Sequence, residues 1–185
     1  GDALAHRGPD DARVWRGAGR FAHIGLAHRR LTVLDPAGGA QPMRSQRGNV
    51  TLAFNGQLYD HLALRRVLLG RGHAFASDHS DTETLVNAIV EWGPASCVSF
   101  TGMFAFGADD EERDVLLLAR DPMGKKPLYV ATPAFFDGPP RLAFASELGA
   151  LERLPGARRQ VDVRALARYF AFDFVPDPDC IYQGV

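Results

Sequence analysis

One short run of this sequence, FNGQLYD at residues 54–60, joins a turn-forming dipeptide to side-chain amides. Asn55 and Gly56 form an Asn-Gly pair, which is a strong turn signal between an apolar run and a helix-like pattern. Such a turn could aim the Asn55 amide and the Gly56 backbone N–H at one point. Two donors placed this way can stabilise a developing oxyanion. The dipeptide fits an ordinary strand-to-helix turn equally well, so both interpretations stay open on this evidence.

Three further groups of polar residues could bind a small molecule. HRRLTVL (28–34) places two arginines before a strand-like run, and an arginine fork suits a carboxylate, although arginines at a strand edge can simply face water. Asp81 in HSDTE could bind an ammonium group or offset the dipole of a following helix. AHRGPDD (5–11) combines basic, turn-forming and acidic residues, which also fits a loop held by an exposed ion pair.

The two cysteines and six histidines give no sign of a metal site or a disulfide framework. Cys97 and Cys180 lie far apart without CxxC spacing, which indicates reduced thiols in a cytosolic protein. Cys97 has apolar neighbours in Val98 and Phe100, so we predict a buried structural thiol. The histidines form no zinc-binding pattern, and we therefore predict no metal site.

Composition and charge are those of an ordinary globular protein. The 185 residues are 46% hydrophobic and 23% charged, and the net charge is −1 with basic residues spread along the chain. Nothing indicates a nucleic-acid footprint or a membrane-surface patch. No apolar run reaches the roughly 18 residues of a spanning helix, and no signal peptide is visible.

Hydrophobic periodicity predicts strands separated by helices in an α+β arrangement. Ser80 and Glu83 form a capping-box pattern, and Asp60 is a candidate cap of an earlier helix. We predict helices at 60–72, at 80–93 and around 161–171. We predict strands within 20–35 and over 50–55, 102–109, 114–121, 127–134 and 141–148.

Six runs, in this order and spacing, resemble the glutamine amidotransferase domain of glutamine-hydrolysing asparagine synthases. They are HRGPDD, AHRRLTVLDPAGGAQPM, FNGQLYDHLALR, SDTETL, TGMFAFGADDEERDVLLLARDPMGKKPLYV and FASELGAL. The resemblance runs almost from Arg7 to Leu151. GKKPLYV and YFAFDFVPDP also resemble asparagine-synthase-like proteins found with bacterial exosortase systems.

The resemblance implies a class II amidotransferase with the N-terminal-nucleophile hydrolase fold. This fold is α+β, a four-layer αββα sandwich of two antiparallel sheets between helix layers. Residues 1–155 would form the amidotransferase domain, truncated before its first strand and nucleophile. Residues 156–185 would form a linker and the start of a synthetase domain.

The resemblance also assigns roles to individual residues. In that family an N-terminal cysteine attacks the glutamine carboxamide, and its own α-amino group serves as base. Asn55 and Gly56 would form the oxyanion hole, Arg30 would clamp the α-carboxylate, and Asp81 would hold the α-ammonium group. The wall beside Arg30 would consist of Leu31, Thr32, Val33 and Leu34.

Gln57 departs from the family, which usually has Glu at this position near the α-amino end of glutamine. A glutamine keeps the hydrogen-bonding shape and loses one negative charge. We expect ammonium binding weaker by about 1–2 kcal/mol, the size of a lost charge-assisted bond. The expected consequence is a raised KM for glutamine.

The family's Met-Cys-Gly-Ile opening would precede HRGPDD and is not among these residues, so the chain as given is expected to be inactive. The amidotransferase domain would need no cofactor. ATP and Mg²⁺ would bind a C-terminal synthetase domain of the same chain, where ammonia would convert an adenylated aspartate to asparagine. The resemblance leaves room for a homodimer in the cytoplasm, without nucleic-acid or membrane partners.

Two alternatives to an asparagine synthase stay open. One is a related class II amidotransferase with another acceptor, such as a sugar-phosphate, phosphoribosyl or β-lactam-forming synthetase. The other is a degenerate, non-catalytic domain for scaffolding or ligand sensing, which the missing cysteine and Gln57 would favour.

Overall fold

The computed structural model describes residues 2–18, 23–31 and 39–185. The chain divides into two compact units, Gly1–Pro127 and Leu128–Val185. The first unit contains β1 (Asp11–Ala18), β2 (His23–Arg30), β3 (Met43–Arg44), β4 (Val50–Leu58), α1 (His61–Gly70), α2 (Asp81–Trp92), β5 (Gly102–Asp110) and β6 (Val115–Arg120). The second unit contains β7 (Tyr129–Ala131), β8 (Ala143–Ala145), α3 (Leu148–Glu152) and α4 (Val163–Phe172).

The first unit is built on a four-stranded antiparallel sheet with the strand order β3-β4-β5-β6. Val50, Leu52, Phe54 and Leu58 of β4 are apolar and buried on one face of the sheet, because alternate side chains in a strand point to the same face. Phe54 and its register partner on β5, Phe106, lie in the same buried core, which packs against α2. Helices α1 and α2 pack against each other and cover this face of the sheet.

The start of α2 is fixed more firmly than a simple cap requires. Ser80 Oγ accepts a hydrogen bond from the Glu83 N–H at 3.1 Å, as the capping-box pattern predicts. The Glu83 carboxylate reaches further back and accepts the N–H groups of Ala76 at 2.5 Å and Ser77 at 2.9 Å. The loop before α2 is therefore tied to its first turn, and this fixes Asp81.

Strands β1 and β2 form an antiparallel hairpin in which Asp11 is the partner of Arg30. The prediction of a strand within 20–35 is confirmed by β2. Strand β1 was not predicted, because DARVWRGA shows no sustained alternation of apolar and polar residues. Strand β2 lies beside β4.

The second unit has a small core of its own. Strands β7 and β8 pair antiparallel, and Phe135, Phe136 and Leu151 are buried with Ala131. The Phe135 and Phe136 rings meet edge to face with centroids 5.1 Å apart. The predicted boundary after residue 155 falls within this unit and stays a prediction about family domains.

The prediction of an α+β fold with antiparallel sheets is confirmed. Across residues 2–18, 23–31 and 39–185 the strands form three sheets, which are the β1-β2 hairpin, the four-stranded sheet and the β7-β8 pair. Each of the three predicted helices has its counterpart in α1, α2 or α4. In the described part of the chain, no helix is both long and apolar enough to cross a membrane.

Candidate functional site

Strand β4 has one edge that β5 does not occupy, and polar side chains gather along it. The Phe54 N–H donates to Gln41 Oε1 at 2.6 Å, and the Leu58 N–H donates to Asp81 Oδ2 at 3.1 Å. Backbone N–H groups alternate sides along a strand, so the Gly56 N–H points to this same edge. It therefore lies between the Gln41 amide and the Asp81 carboxylate.

Only glycine fits at position 56. Its φ is +152°, a value that residues with a side chain rarely adopt. A methyl group there would come 2.1 Å from the Met103 carbonyl oxygen and 2.7 Å from Phe104 Cα. The strand pair is thus unusually close at Gly56, and its N–H is held in a fixed direction as a hydrogen-bond donor.

Asn55 places a side-chain amide beside that N–H. Its neighbour Phe54 is buried against the helices, so the Asn55 side chain lies on the opposite face of the sheet, where it is half-buried. Its register partner is Ala105, whose small side chain leaves room beside the amide. Gln57 follows on the same face and is exposed. Asn55 and Gly56 both lie inside β4, which continues to Leu58, so the predicted turn at this pair is wrong; the strand itself places the two donors next to each other.

Asp81 lies at the same edge of β4, next to Leu58, which is the strand residue after Gln57. It is the first residue of α2, where a negative charge also offsets the helix dipole. The Asp81 carboxylate accepts the Leu58 N–H, and its second oxygen accepts the Thr82 hydroxyl at 3.4 Å. The helix-dipole interpretation therefore fits the position of Asp81, and its role towards an ammonium group stays a prediction. Its carboxylate is half-buried within two residues of the Gly56 donor.

Arg30 ends β2, and the HRGPDD run fixes its backbone. A methyl group on Gly8 would come 2.4 Å from the peptide between Arg29 and Arg30, and the Asp10 N–H donates to the Arg30 carbonyl at 3.1 Å. The Arg30 guanidinium lies over Gly39, where a methyl group would come 2.6 Å from Nη2. The run that could have been only an ion-paired loop therefore positions an arginine.

His28 connects Arg30's strand to the edge of β4. Burial lowers the pKa of His28, the Arg30 charge lowers it further, and a hydrogen bond to the Phe54 backbone opposes both. His28 is therefore neutral near pH 7 and leaves Arg30 as the cation of the two. His28 and Arg30 share one face of β2, because side chains two apart on a strand point the same way.

The remaining predicted wall is described only at its first residue. Leu31 is 58% exposed. Thr32, Val33 and Leu34 lie outside the described residues, so their predicted role stays a prediction. Sequence reasoning missed Gln41 and His28, which hold β4 from this side. Their signal was weak, because one sits in a Pro- and Gly-rich loop and the other next to two arginines.

Cys97 does not lie at this edge of β4. Cys97 packs against the helix-covered core of the first unit but is only partly buried, whereas a buried thiol was predicted; this partial burial raises the pKa of the thiol. Cys180 belongs to the second unit. Within residues 2–18, 23–31 and 39–185, no group of three or more His, Cys, Asp or Glu could hold a metal ion.

Residues 1–185 match the model of a glutamine amidotransferase domain. The chain is 39% identical over 187 residues to asparagine synthetase [glutamine-hydrolyzing] 3 of Bacillus subtilis. This match covers 100% of this chain and 29% of that protein. It is 38% identical over 148 residues to asparagine synthetase B of Escherichia coli K12, with 80% of this chain and 25% of that protein covered. The chain thus spans less than a third of the length of these relatives.

A solved structure shares the fold. It is the glutamine phosphoribosylpyrophosphate amidotransferase from B. subtilis, complexed with ADP and GMP. The two structures match with a TM-score of 0.52 and 24% identity, over 70% of this chain and 35% of that one. At this identity the likeness concerns the fold alone, and it confirms the prediction of an N-terminal-nucleophile hydrolase fold.

Proposed function

This chain belongs to the glutamine amidotransferase domain family, and we propose that it is the glutamine-hydrolysing domain of an asparagine synthase. The observation that carries the proposal is the edge of β4. There the Asp81 carboxylate accepts the Leu58 N–H, two residues after Gly56, and Asn55 precedes Gly56 on the same strand. Donors and an anion in this order match the two polar ends of glutamine, its carboxamide and its α-ammonium group.

The proposed reaction converts glutamine and water to glutamate and ammonia. A cysteine thiol from residues outside this chain attacks the carboxamide carbon, and the carbonyl oxygen becomes an oxyanion. The Asn55 amide and the Gly56 N–H donate to that oxyanion. The C–N bond then breaks, ammonia leaves with the proton taken from the thiol, and water hydrolyses the resulting thioester to glutamate.

The charges around the site suit the zwitterionic end of glutamine. Arg30 is half-buried, and a guanidinium binds a carboxylate with two parallel hydrogen bonds. Asp81 is half-buried at the end of the strand that carries the donors, so it can accept from an ammonium group. In this arrangement Arg30 and Asp81 orient the substrate, and its carboxamide meets Asn55 and Gly56.

Neither cysteine of the chain serves as nucleophile in this proposal. The Cys97 thiol has a raised pKa, which keeps it protonated, and it packs with the core on the helix side. In this proposal the nucleophile is the N-terminal cysteine that the family uses, which is not among these 185 residues. The chain alone is expected to lack glutaminase activity.

The rest of the proposal concerns the parent protein. Its remaining length would hold the synthetase domain, where ATP and Mg²⁺ activate aspartate for attack by ammonia. Residues 156–185 would begin that domain. A homodimer and a cytoplasmic location complete the proposal, and both rest on the resemblance.

The test uses the full-length protein encoded by the gene that contains this chain. Glutamate release from glutamine is measured with and without aspartate and ATP, and asparagine is measured in the same samples. Glutamate together with asparagine supports the proposal. Glutamate without asparagine identifies an amidotransferase with another acceptor, and no glutamate at all identifies a non-catalytic scaffold or sensor domain.

A further inference from the structure

One buried carboxylate, that of Asp121, lies next to the strand that faces Gly56. Asp121 follows directly after β6 and is only 3% exposed. Its Oδ1 accepts the Lys125 N–H at 3.0 Å. Its Oδ2 accepts the N–H groups of Phe104 at 3.2 Å and Lys126 at 3.0 Å. Both carboxylate oxygens are therefore occupied by backbone donors.

Asp121 holds both backbone groups of Phe104. In addition to the bond from the Phe104 N–H, the Phe104 carbonyl accepts the Asp121 N–H at 2.7 Å. The pairing of β5 with β6 ends at Ala105 and Arg120. Asp121 thus continues the hydrogen bonding of β5 by one position past the end of the strand ladder.

Phe104 is in turn the register partner of Gly56. The two backbones approach so closely that a methyl group on Gly56 would come 2.7 Å from Phe104 Cα. In close packing of this kind, a shift of one backbone must move the other. The position of the Gly56 N–H therefore depends on the position of Phe104, which Asp121 fixes.

The charge of Asp121 is suited to this task. Burial alone would raise the pKa of its carboxyl, but the N–H bonds from Lys125, Lys126 and Phe104 outweigh burial and leave the pKa below its usual value. The carboxylate accordingly stays ionised near neutral pH. An ionised carboxylate offers acceptors only, which is what three converging N–H donors need.

We propose that Asp121 is a positioning residue for the oxyanion-hole donor Gly56. The inference rests on the glutaminase function proposed above. Asp121 does not touch substrate; it fixes Phe104, and Phe104 fixes the backbone of Gly56. Its loss should therefore lower kcat and leave glutamine binding intact.

The experiment compares Asp121→Asn with Asp110→Asn in the full-length protein. Asn offers one acceptor oxygen where Asp offers two, so Asp121→Asn must release at least one N–H. Asp110 is the matched control, because it is 1% exposed at the opposite end of β5 and pairs with Arg113 at 2.7 Å. We expect kcat for glutamate release to fall about tenfold or more in Asp121→Asn with KM unchanged, and kcat to stay at the wild-type value in Asp110→Asn.

Hydrogen exchange gives a second readout that does not depend on activity. The peptide that contains Gly56 should exchange faster in Asp121→Asn than in wild type, and should be unchanged in Asp110→Asn. Equal kcat losses in both variants, or a change in KM instead of kcat, would overturn the inference. If wild type releases no glutamate, the proposed function fails, and unchanged exchange at Gly56 then overturns the positioning role independently.

Asp121→Glu covers the case in which Asp121→Asn does not fold. It keeps the charge and both acceptor oxygens but moves them by one methylene. A lowered kcat at unchanged KM supports the positioning role, and wild-type kinetics together with wild-type exchange at Gly56 overturn it.

Discussion

The two faces of the four-stranded sheet obey different rules. The helix-covered face is apolar: Phe104 and Phe106 pack there with ring centroids 6.0 Å apart, and both side chains are almost fully buried. The opposite face carries Asn55 and also buries the Thr51 hydroxyl and one oxygen of Asp109 without a hydrogen-bond partner in the described residues. The first face supplies stability through burial. The second face carries polar groups that lower the stability of the fold and can take part in a reaction.

The largest expected effect is on the apolar face. Phe106→Ala removes a ring that is 1% exposed and should lower the free energy of unfolding by about 3–5 kcal/mol. Denaturant unfolding of the full-length protein measures this change. The control is Val98→Ala, at a side chain 92% exposed, which should stay within about 0.5 kcal/mol of wild type. The kcat of the folded fraction should not change. A lower kcat would show that the apolar face also affects catalysis.

On the opposite face, Asn55→Ala should act on catalysis instead. Removal of one oxyanion donor should lower kcat for glutamate release by about 10²–10³-fold in the full-length protein. Thr51→Val is the control, since Thr51 lies on the same strand and the same face. A Thr51→Val protein as slow as Asn55→Ala would show that the whole face, rather than the donor, determines the rate.

Gln57→Glu should strengthen glutamine binding. A negative charge beside the proposed ammonium position adds a charge-assisted hydrogen bond of about 1–2 kcal/mol. KM should therefore fall about tenfold, with kcat unchanged. Gln46→Glu makes the same charge change at another exposed residue and should leave KM alone. Unchanged kinetics in Gln57→Glu would remove this residue from the site.

Asp109→Asn should give the smallest effect and should raise stability. Burial raises the pKa of Asp109, Glu111 and Asp110 raise it further, and Arg44 opposes them. A carboxyl with a raised folded-state pKa destabilises the fold above that pKa, and the penalty disappears as the pH falls towards the unfolded-state value. The variant should gain about 1 kcal/mol at pH 7 and progressively less in acid. A loss of stability at pH 7 would mean that the charged form is favoured.

Much of the first unit could be predicted from local patterns. Ser80 followed by Glu83 predicted the start of α2, and the run at 50–55 predicted a strand that the structure extends to Leu58 as β4. Strand β1 could not be predicted because its stability comes from pairing with β2, which local composition does not reveal. In the sequence, Gly56 appears only as part of a turn signal. Its close contact with Met103 depends on the register of β4 and β5, which the sequence does not show.

The sequence by itself determined which residues could do chemistry. Residue type and neighbouring motifs identify Asn55, Gly56, Arg30 and Asp81, because few residue types can donate to an oxyanion or pair with a zwitterion. The tertiary structure decided that the Asp81 carboxylate lies at the edge of β4 to which the Gly56 N–H points. Asp81 reaches the Leu58 N–H across 23 positions of sequence, a contact that no local spacing specifies. Such contacts follow from strand register and helix packing, which are set by burial over the whole unit rather than by neighbouring residues.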